Sequence, residues 1–253
     1  MNELVGRHAL VTGGGRGIGR SVAVALTTAG ASVTVAGRNR VPLQDAVERG
    51  DAAGYFIADV ISADALADGI AQATAARGPI DILVANAGGA ESAPFAKSDD
   101  AVFRRMLDLN LMGVVHAVHA VIGGMSARGF GRIVAVASTA GVKGYPYVSA
   151  YCAAKHAVIG LVRALAVEVA TTGVTVNAVC PGFTETDLVR ANIDKVAAKT
   201  KRSEQAVLAE FVKHNPLGRL IAPEEVAAAV SFLCSPAASG ITGTTLTVAG
   251  GEV

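Results

Sequence analysis

The sequence has few cysteines, and their arrangement does not suit a metal ion. Its 253 residues include three of them, an odd number without metal-ligand spacing, and each lies in an apolar stretch: Cys152, Cys180 and Cys234. We therefore expect all three to be packing residues rather than part of a disulfide framework or a zinc site. His116 and His119 are three residues apart, but no third ligand with suitable spacing is near them, so we expect no bound metal.

The sequence also lacks an excess of charge of either sign. Lys and Arg number 22 against 21 Asp and Glu, for a formal net charge of +1. No basic run resembles a nucleic-acid footprint, although one local cluster is positive: Lys195, Lys199, Lys201 and Arg202. We therefore expect no nucleic-acid partner.

Long hydrophobic runs are absent as well. No positively charged leader with an apolar core opens the sequence, and histidines and glycines break the most apolar stretch, residues 109–125. We therefore expect a soluble, cytoplasmic protein without a membrane partner. There is no internal repeat, low-complexity tract or proline-rich linker, so residues 1–253 are predicted to form a single domain.

Short apolar runs alternate with helix-prone stretches along the chain. They begin with HALVT at 8–12 and SVTVA at 32–36 and recur at 55–57, 82–85, 132–137, 174–179 and 244–248. This alternation predicts an α/β fold, with a doubly wound parallel sheet and helices on both faces. Ligands bind beyond the carboxyl ends of such strands, which are followed here by Thr12, Asp59, Asn86, Ser138 and Pro181.

A glycine-rich turn follows the first strand and opens a helix. It runs through Gly13, Gly14, Gly15, Arg16, Gly17, Ile18 and Gly19. Glycines let the backbone approach a pyrophosphate closely, and the helix amides and dipole receive its charge. The spacing differs from G-x-G-x-x-G, because three residues separate Gly13 from Gly17 and one separates Gly17 from Gly19. The turn predicts a bound dinucleotide; the alternative is a flexible turn without a ligand.

Tyr151 and Lys155 are four residues apart in YCAAK, so on a helix their side chains share one face. A nearby cation stabilises a phenolate and lowers the pKa of a tyrosine, which would make Tyr151 an acid-base catalyst. The alternative is an ordinary helix surface, with the lysine stem lying over the ring.

Six motifs occur in one order: TGGGRGIG at 12–19, NAG at 86–88, Asn110, Ser138, YCAAK at 151–155 and PG at 181–182. With them the chain resembles the short-chain dehydrogenase/reductase family over essentially its whole length. The thirteen residues from Ser138 to Tyr151 are the usual interval, whereas Ala85 stands where many members carry a second asparagine. The resemblance implies a single-domain Rossmann fold with a seven-stranded sheet.

The resemblance also implies a catalytic set. Tyr151 would be the general acid in carbonyl reduction and the base in alcohol oxidation, and Lys155 would lower its pKa and bind the nicotinamide ribose hydroxyls. Ser138 would hydrogen-bond the substrate oxygen, and Asn110 would support a water leading from Lys155 toward solvent. The alternatives are that Ser138 caps the following turn and that Asn110 is a buried polar group satisfied locally.

By the same resemblance, Asn86 would stabilise the central strand, Asp59 and Val60 would contact adenine, and Thr184 and Thr186 would contact the nicotinamide amide and phosphates. The implied cofactor contacts are Gly13, Gly15, Arg16, Gly17, Ile18, Arg38, Asn39, Asp59, Val60, Asn86, Ala87, Gly88, Tyr151, Lys155, Pro181, Gly182, Phe183, Thr184 and Thr186.

The end of the second strand should determine which cofactor binds, because an acidic side chain there would hydrogen-bond the ribose 2′-hydroxyl of NAD(H). Gly37 stands at that position, followed by Arg38, and Arg16 offers a second guanidinium. Two cations around a phosphate favour NADP(H) over NAD(H), unless both are solvated surface charges.

Residues 183–216 are polar, helix-prone and too long for an ordinary connection, which predicts a small helical substrate lid; the alternative is a structural insertion. The expected substrate contacts are Ser138, Val142, Tyr145, Tyr147 and Tyr151.

The chain looks most like bacterial 3-oxoacyl-thioester reductases, including 3-hydroxyacyl-CoA dehydrogenases. This likeness implies an NADP(H)-dependent reductase of 3-oxoacyl thioesters, with the basic cluster of the lid meeting phosphates of coenzyme A or of a carrier-protein arm. The alternatives are a reductase of free cyclic, aromatic or steroid-like ketones and a non-catalytic dinucleotide-sensing protein. Family members commonly form tetramers, which here would pair through 109–125, 151–171 and 241–253.

Overall fold

The computed structural model describes residues 3–213 and 215–253 and contains one seven-stranded sheet. The strands lie in the order β3-β2-β1-β4-β5-β6-β7, and every neighbouring pair is parallel. They are β1 His8–Thr12, β2 Ser32–Gly37, β3 Gly54–Ile57, β4 Ile82–Ala85, β5 Gly131–Val136, β6 Val174–Pro181 and β7 Thr245–Val248. The predicted doubly wound seven-stranded parallel sheet is thus confirmed, with strand ends shifted by one or two residues.

Helices cover both faces of the sheet. They are α1 Gly17–Thr28, α2 Arg40–Glu48, α3 Ala63–Arg77, α4 Asp100–Leu107, α5 Gly113–Arg128, α6 Ser149–Glu168, α7 Asp187–Thr200, α8 Glu204–Val212 and α9 Pro223–Cys234. A π-helical turn, Asp108–Met112, joins α4 to α5. One hydrophobic cluster lies under α3, α5 and α6, and the other lies under α1, α2 and α9.

The alternation of side chains along each strand supplies both clusters. In β1 every residue is buried, and Leu10 points into the first cluster while Ala9 and Val11 point into the second. A strand buried on both faces has no polar side, which is why HALVT reads as a continuous apolar run. The carboxyl ends of β1, β4, β5 and β6 consequently meet at one edge.

Two helical stretches, Asp100–Arg128 and Ser149–Glu168, are long and apolar enough to cross a membrane by length and composition alone. In this fold several of their apolar residues face the sheet: Val114 and Val118 of α5, and Val158 and Val162 of α6, belong to the first cluster. Packing against the core therefore accounts for part of their hydropathy.

The segment predicted as a helical lid contains α7 and α8. These two helices pack on each other through a small cluster of their own that includes Ile193, Ala197 and Val207. Backbone pairing holds the base of the segment, because Ile221 donates to the carbonyl of Phe183 at 2.9 Å and accepts from the amide of Glu185 at 2.8 Å. The predicted lid segment is thus a helical pair that begins beside the carboxyl end of β6.

Candidate active site

The glycine-rich turn lies at the centre of the sheet edge, directly after β1. Gly13 adopts a left-handed φ of 66°, and a Cβ atom at Gly19 would collide with the carbonyl oxygen of Gly13. The first turn of α1 contains no acidic residue, and Arg16 at its N-cap makes no side-chain capping bond in the described chain. The first amides of α1 are therefore available to an anion, and the turn fits a pyrophosphate.

Asn86 connects the ends of β1 and β4 beneath this turn. Its Nδ2 donates to the carbonyl oxygens of Thr12 at 2.9 Å and Gly13 at 3.3 Å. The amides of Asn86 and Ala87 in turn donate to Thr12 Oγ1, at 3.0 and 3.1 Å. This is the strand-stabilising geometry expected for Asn86, and it fixes the NAG turn against the glycine-rich turn.

Ser138 and Tyr151 meet beyond the carboxyl end of β5. Ser138 caps the short 3-10 turn Thr139–Gly141 by accepting from the amide of Ala140 at 3.1 Å, the capping role foreseen as the alternative. Tyr151 is half-buried; burial raises the pKa of its phenol, and the neighbouring Ser138 side chain lowers that pKa by less. Ser138 is therefore both a cap and a neighbour of the phenol.

Lys155 lies on the same helix as Tyr151, as the spacing predicts. It lies one turn after Tyr151 on α6, but its Nζ is 5.7 Å from the centre of the Tyr151 ring and donates to the carbonyl of Val136 at 2.9 Å. Burial lowers the pKa of Lys155 to about 8. The expected lowering of the Tyr151 pKa by Lys155 is not found in this structure, because burial of the phenol is the dominant influence and acts in the opposite direction.

Asn110 lies in the π-helical turn between α4 and α5, with no exposed surface. Its Nδ2 donates to the carbonyls of Gly89 at 2.9 Å and Met106 at 3.1 Å, and its Oδ1 accepts from the Gly89 amide at 3.2 Å. A Cβ atom at Gly88 would lie 2.7 Å from Asn110 Oδ1 and 3.6 Å from Lys155 Nζ. Asn110 is satisfied locally, and it also brings the NAG turn next to Lys155. The π turn itself was not predicted from the sequence.

Arg38 and Asp59 face each other at the ends of β2 and β3. Arg38 Nη1 lies 3.8 Å from Asp59 Oδ2, and the guanidinium is exposed. Val60 is buried and packs against Gly113, where a Cβ atom would lie 2.7 Å from Val60 Cγ2. Asn39 makes no side-chain capping bond to α2 within the described residues, and Arg40, which was not among the predicted site residues, begins that helix.

The loop before Tyr151 holds the remaining substrate candidates. Val142 and Tyr147 are exposed; Tyr147 has a left-handed φ of 69°, and its carbonyl accepts from the Ala93 amide at 2.8 Å. The hydroxyl of Tyr145 instead bonds within the protein, at 2.7 Å from both Thr139 Oγ1 and Glu252 Oε1. Tyr145 therefore has only its ring left to offer a substrate, a restriction that the sequence did not reveal.

The start of the lid reaches the glycine-rich turn. Thr186 caps α7 by accepting from the Val189 amide at 3.4 Å, and its Cγ2 would lie 3.1 Å from a Cβ atom at Gly17. Thr184 is buried and donates to the carbonyl of Gly182 at 3.0 Å, while the Gly182 amide donates to Val248 at 3.0 Å. The predicted cofactor contacts that follow β6 thus lie beside the glycine-rich turn that follows β1.

The cysteines are buried, and Cys152 and Cys180 lie near Tyr151. Cys152, Cys180 and Cys234 are free and buried, as expected of packing residues. His116 Nδ1 is 2.9 Å from the carbonyl oxygen of Val60, so this ring has a local role in joining α5 to the end of β3.

The chain is similar in sequence and in fold to known proteins. A family model described as short chain dehydrogenase matches residues 7–197. Acetoacetyl-CoA reductase of Rhizobium meliloti (strain 1021) is 42% identical over 246 residues, covering 97% of this chain and 98% of the relative. Cis-4-hydroxycyclohexanecarboxylate dehydrogenase of Sinomonas cyclohexanicum is 40% identical over 252 residues, covering 97% and 96%. The crystal structure of a variant actinorhodin polyketide ketoreductase with NADPH matches with a TM-score of 0.91 at 36% identity, over 97% of each chain.

Proposed function

Because the chain belongs to the short-chain dehydrogenase family of oxidoreductases, which bind a nicotinamide dinucleotide, we propose that it reversibly reduces a 3-oxoacyl thioester to the 3-hydroxyacyl thioester with NADP(H). The thioester would be that of coenzyme A or an acyl carrier. The likeness to an acetoacetyl-CoA reductase supports this substrate class. The observation that carries the proposal is the placement of Ser138, at the end of β5, next to the Tyr151 phenol at the sheet edge that also holds the glycine-rich turn.

The chain's own residues would hold the dinucleotide along this edge. The first amides of α1 would bind the pyrophosphate, Asp59 and Val60 would border the adenine, and the segment from Pro181 to Thr186 would border the nicotinamide. Lys155 would bind the ribose hydroxyls. When bound, the cofactor supplies hydride to the carbonyl carbon.

In reduction, the Tyr151 hydroxyl would deliver a proton to the ketone oxygen. Burial raises the pKa of Tyr151, so the phenol holds that proton at neutral pH. Ser138 would donate a hydrogen bond to the same oxygen and stabilise its developing charge. In the reverse direction the phenolate form of Tyr151 would take the proton from the alcohol.

A preference for NADP(H) follows from the charges at the end of β2. Arg38 is exposed, and its contact with Asp59 at 3.8 Å is a weak surface pair. A 2′-phosphate dianion would offer it stronger, bidentate hydrogen bonds, and Arg16 would contribute a second guanidinium. No acidic residue stands between Gly37 and Arg40 to repel that phosphate.

A cofactor-resolved substrate screen tests the function. Initial rates with NADPH and NADH would be measured on acetoacetyl-CoA, its N-acetylcysteamine analogue and the matching free ketone. We expect the highest kcat/KM with acetoacetyl-CoA and NADPH. A preference for the free ketone would contradict the thioester substrate.

The same screen tests the role of the basic cluster. Lys195 and Lys199 are exposed on α7, and Lys201 follows its end. The N-acetylcysteamine thioester keeps the reacting group but has no phosphates. A contact between this cluster and coenzyme A phosphates would therefore give acetoacetyl-CoA a lower KM, and the Lys195→Ala/Lys199→Ala variant would remove the difference.

A second candidate function is oxidation and reduction of a free cyclic alcohol and ketone pair. The observation that favours it is the 40% identity to cis-4-hydroxycyclohexanecarboxylate dehydrogenase. A cyclohexanone carboxylate in the screen distinguishes the two candidates, because a thioester reductase should turn it over poorly.

We further propose a cytoplasmic homotetramer. The segments that would pair are 109–125, 151–171 and 241–253, and exposed apolar side chains such as Met112 and Val167 lie on or beside the first two. Light scattering on the purified protein measures the assembly, and a monomer would contradict it.

A further inference from the structure

The penultimate residue, Glu252, carries a carboxylate that is buried next to the candidate site. Its side chain is 1% exposed, and its Oε1 lies 3.1 Å from Lys143 Nζ. The Tyr145 hydroxyl donates to the same oxygen at 2.7 Å and lies 2.7 Å from Thr139 Oγ1. Lys143 also donates to the backbone carbonyl of Glu252 at 3.3 Å. We call these four residues, Thr139, Lys143, Tyr145 and Glu252, the tail cluster.

Two glycines bring Glu252 to this position. β7 ends at Val248, and the chain then reverses through Gly250 and Gly251, which have left-handed φ angles of 63° and 88°. The Glu252 amide closes the turn by donating to the carbonyl of Ala249 at 3.2 Å. Only glycine adopts two such angles in succession at low cost, so AGGEV is a turn that directs its glutamate inward.

Burying a carboxylate is unfavourable unless it is paired and hydrogen-bonded. Lys143 supplies the opposite charge and Tyr145 supplies the hydrogen bond, both from the loop that precedes Tyr151. Both of these partners of the Glu252 carboxylate lie in one loop, so the carboxylate in turn holds that loop in place.

The tail cluster also touches the other parts of the site. Thr139 directly follows Ser138, and a Cβ atom at Gly182 would lie 3.2 Å from Glu252 Oε2. The Tyr145 ring meets the ring of Phe183 edge-on at 5.9 Å, and Phe183 meets Phe211 of α8 at 4.8 Å. A continuous set of contacts therefore runs from the chain terminus through the loop to the lid.

We propose that Glu252 is a positioning residue, whose carboxylate holds Tyr145 and Lys143 and thereby fixes the loop between Ser138 and Tyr151 against the base of the lid. The consequence for turnover rests on the proposed function; the holding of the loop does not. A displacement of about 1 Å in a reacting group can cost on the order of 10²-fold in rate, so a loosened loop should be visible in kcat.

Hydrogen exchange tests the holding of the loop without any substrate. We expect Glu252→Ala to raise amide exchange in peptides covering residues 142–148 by about 10-fold relative to the natural protein, while strands β1 and β4 are unchanged. Glu224→Ala, which removes an exposed carboxylate that bonds only to Ser21 among the described residues, is the matched control. If the alanine variant fails to fold, Glu252→Gln keeps the volume and loses the charge. Unchanged exchange in the loop would overturn the proposal.

Steady-state kinetics test the effect of Glu252 on turnover. We expect Glu252→Ala to lower kcat for the preferred carbonyl substrate by about 10-fold, while the Kd of NADPH, followed by its fluorescence, changes less than about 2-fold. Since Glu252 acts through Tyr145, the Glu252→Ala/Tyr145→Phe double variant should be no slower than the slower single variant. Losses that multiply, or an unchanged kcat, would contradict a positioning role.

The two measurements separate this inference from the proposed function. A natural protein that reduces no carbonyl compound would contradict the proposed function, and the exchange comparison would still decide whether Glu252 holds the loop.

Discussion

The ammonium nitrogen of Lys155 donates a 2.9 Å hydrogen bond to the carbonyl oxygen of Val136, the last residue of β5, and lies 5.7 Å from the centre of the Tyr151 ring. Lys155 is 3% exposed, and this burial lowers its pKa to about 8. Strand β5 therefore fixes the Lys155 ammonium through a hydrogen bond. The Tyr151 phenol lies in a separate environment, where burial raises its pKa. Each group can be tested by a separate substitution.

Tyr151→Phe should abolish most carbonyl reduction while leaving NADPH binding intact. The substitution keeps the ring and removes only the proton donor, and general acid catalysis contributes about 10²- to 10⁴-fold. We expect kcat to fall by at least about 10²-fold in an assay of NADPH oxidation against a panel of carbonyl compounds. Tyr55→Phe, on β3 away from the site, is the control. No difference anywhere on the panel would favour a dinucleotide-sensing protein that does no catalysis.

Lys155→Met should stabilise the cofactor-free protein at neutral pH. The folded-state pKa of Lys155 is about 8 and the ordinary value is 10.5, so below pH 8 both states are protonated and the folded state bears the full cost of the buried charge. At about 1.4 kcal/mol per pKa unit, that cost is roughly 3 kcal/mol. Between pH 8 and 10.5 the unfolded state binds more protons, so the free energy of unfolding of the natural protein should rise with pH. Urea unfolding of both proteins across that window measures the difference, and parallel pH profiles would refute the prediction.

The sequence was sufficient for the sheet and for the motifs at its edge. Strand β1 reads as a buried run because both of its faces are covered, and the glycine-rich turn has to be glycine because Gly19 lies against the Gly13 carbonyl. These are local requirements, and local requirements leave patterns in sequence.

Contacts that join distant segments left no such pattern. The spacing of Tyr151 and Lys155 predicted that they share a helix face, but it could not show that Val136 holds the lysine. Tyr145 was expected to contact a substrate, and the bond of its hydroxyl to Glu252 spans 107 positions of the chain. The GG pair before Glu252 was the available signal, since consecutive glycines predict a reversal of the chain.

Arg38→Ala should weaken NADPH binding far more than NADH binding. A guanidinium bound to a phosphate is a charge-assisted hydrogen-bonding pair worth about 1.5–3 kcal/mol, so the Kd of NADPH should rise by on the order of 10- to 100-fold. NADH lacks the 2′-phosphate and should be little affected. The control is Arg49→Ala, which removes an exposed guanidinium just beyond the opposite end of α2. Fluorescence titration with both cofactors measures the two constants, and equal effects would mean that Arg38 does not bind the phosphate.

Stability should fall as the pH falls below about 6.5, because of His8 at the start of β1. The ring is 2% exposed, with Nδ1 2.7 Å from the carbonyl oxygen of Gly78 and Nε2 2.8 Å from Thr34 Oγ1, and burial lowers its pKa. His8 therefore binds a proton more readily in the unfolded chain than in the folded protein, so acid favours unfolding. His8→Gln removes this group and should give a shallower fall in the free energy of unfolding between about pH 7.5 and 5. The control is His119→Gln, at an exposed position on α5. If urea denaturation gives the His8→Gln protein the same slope as the natural one, the ring accepts its proton in the folded state as readily as in the unfolded chain.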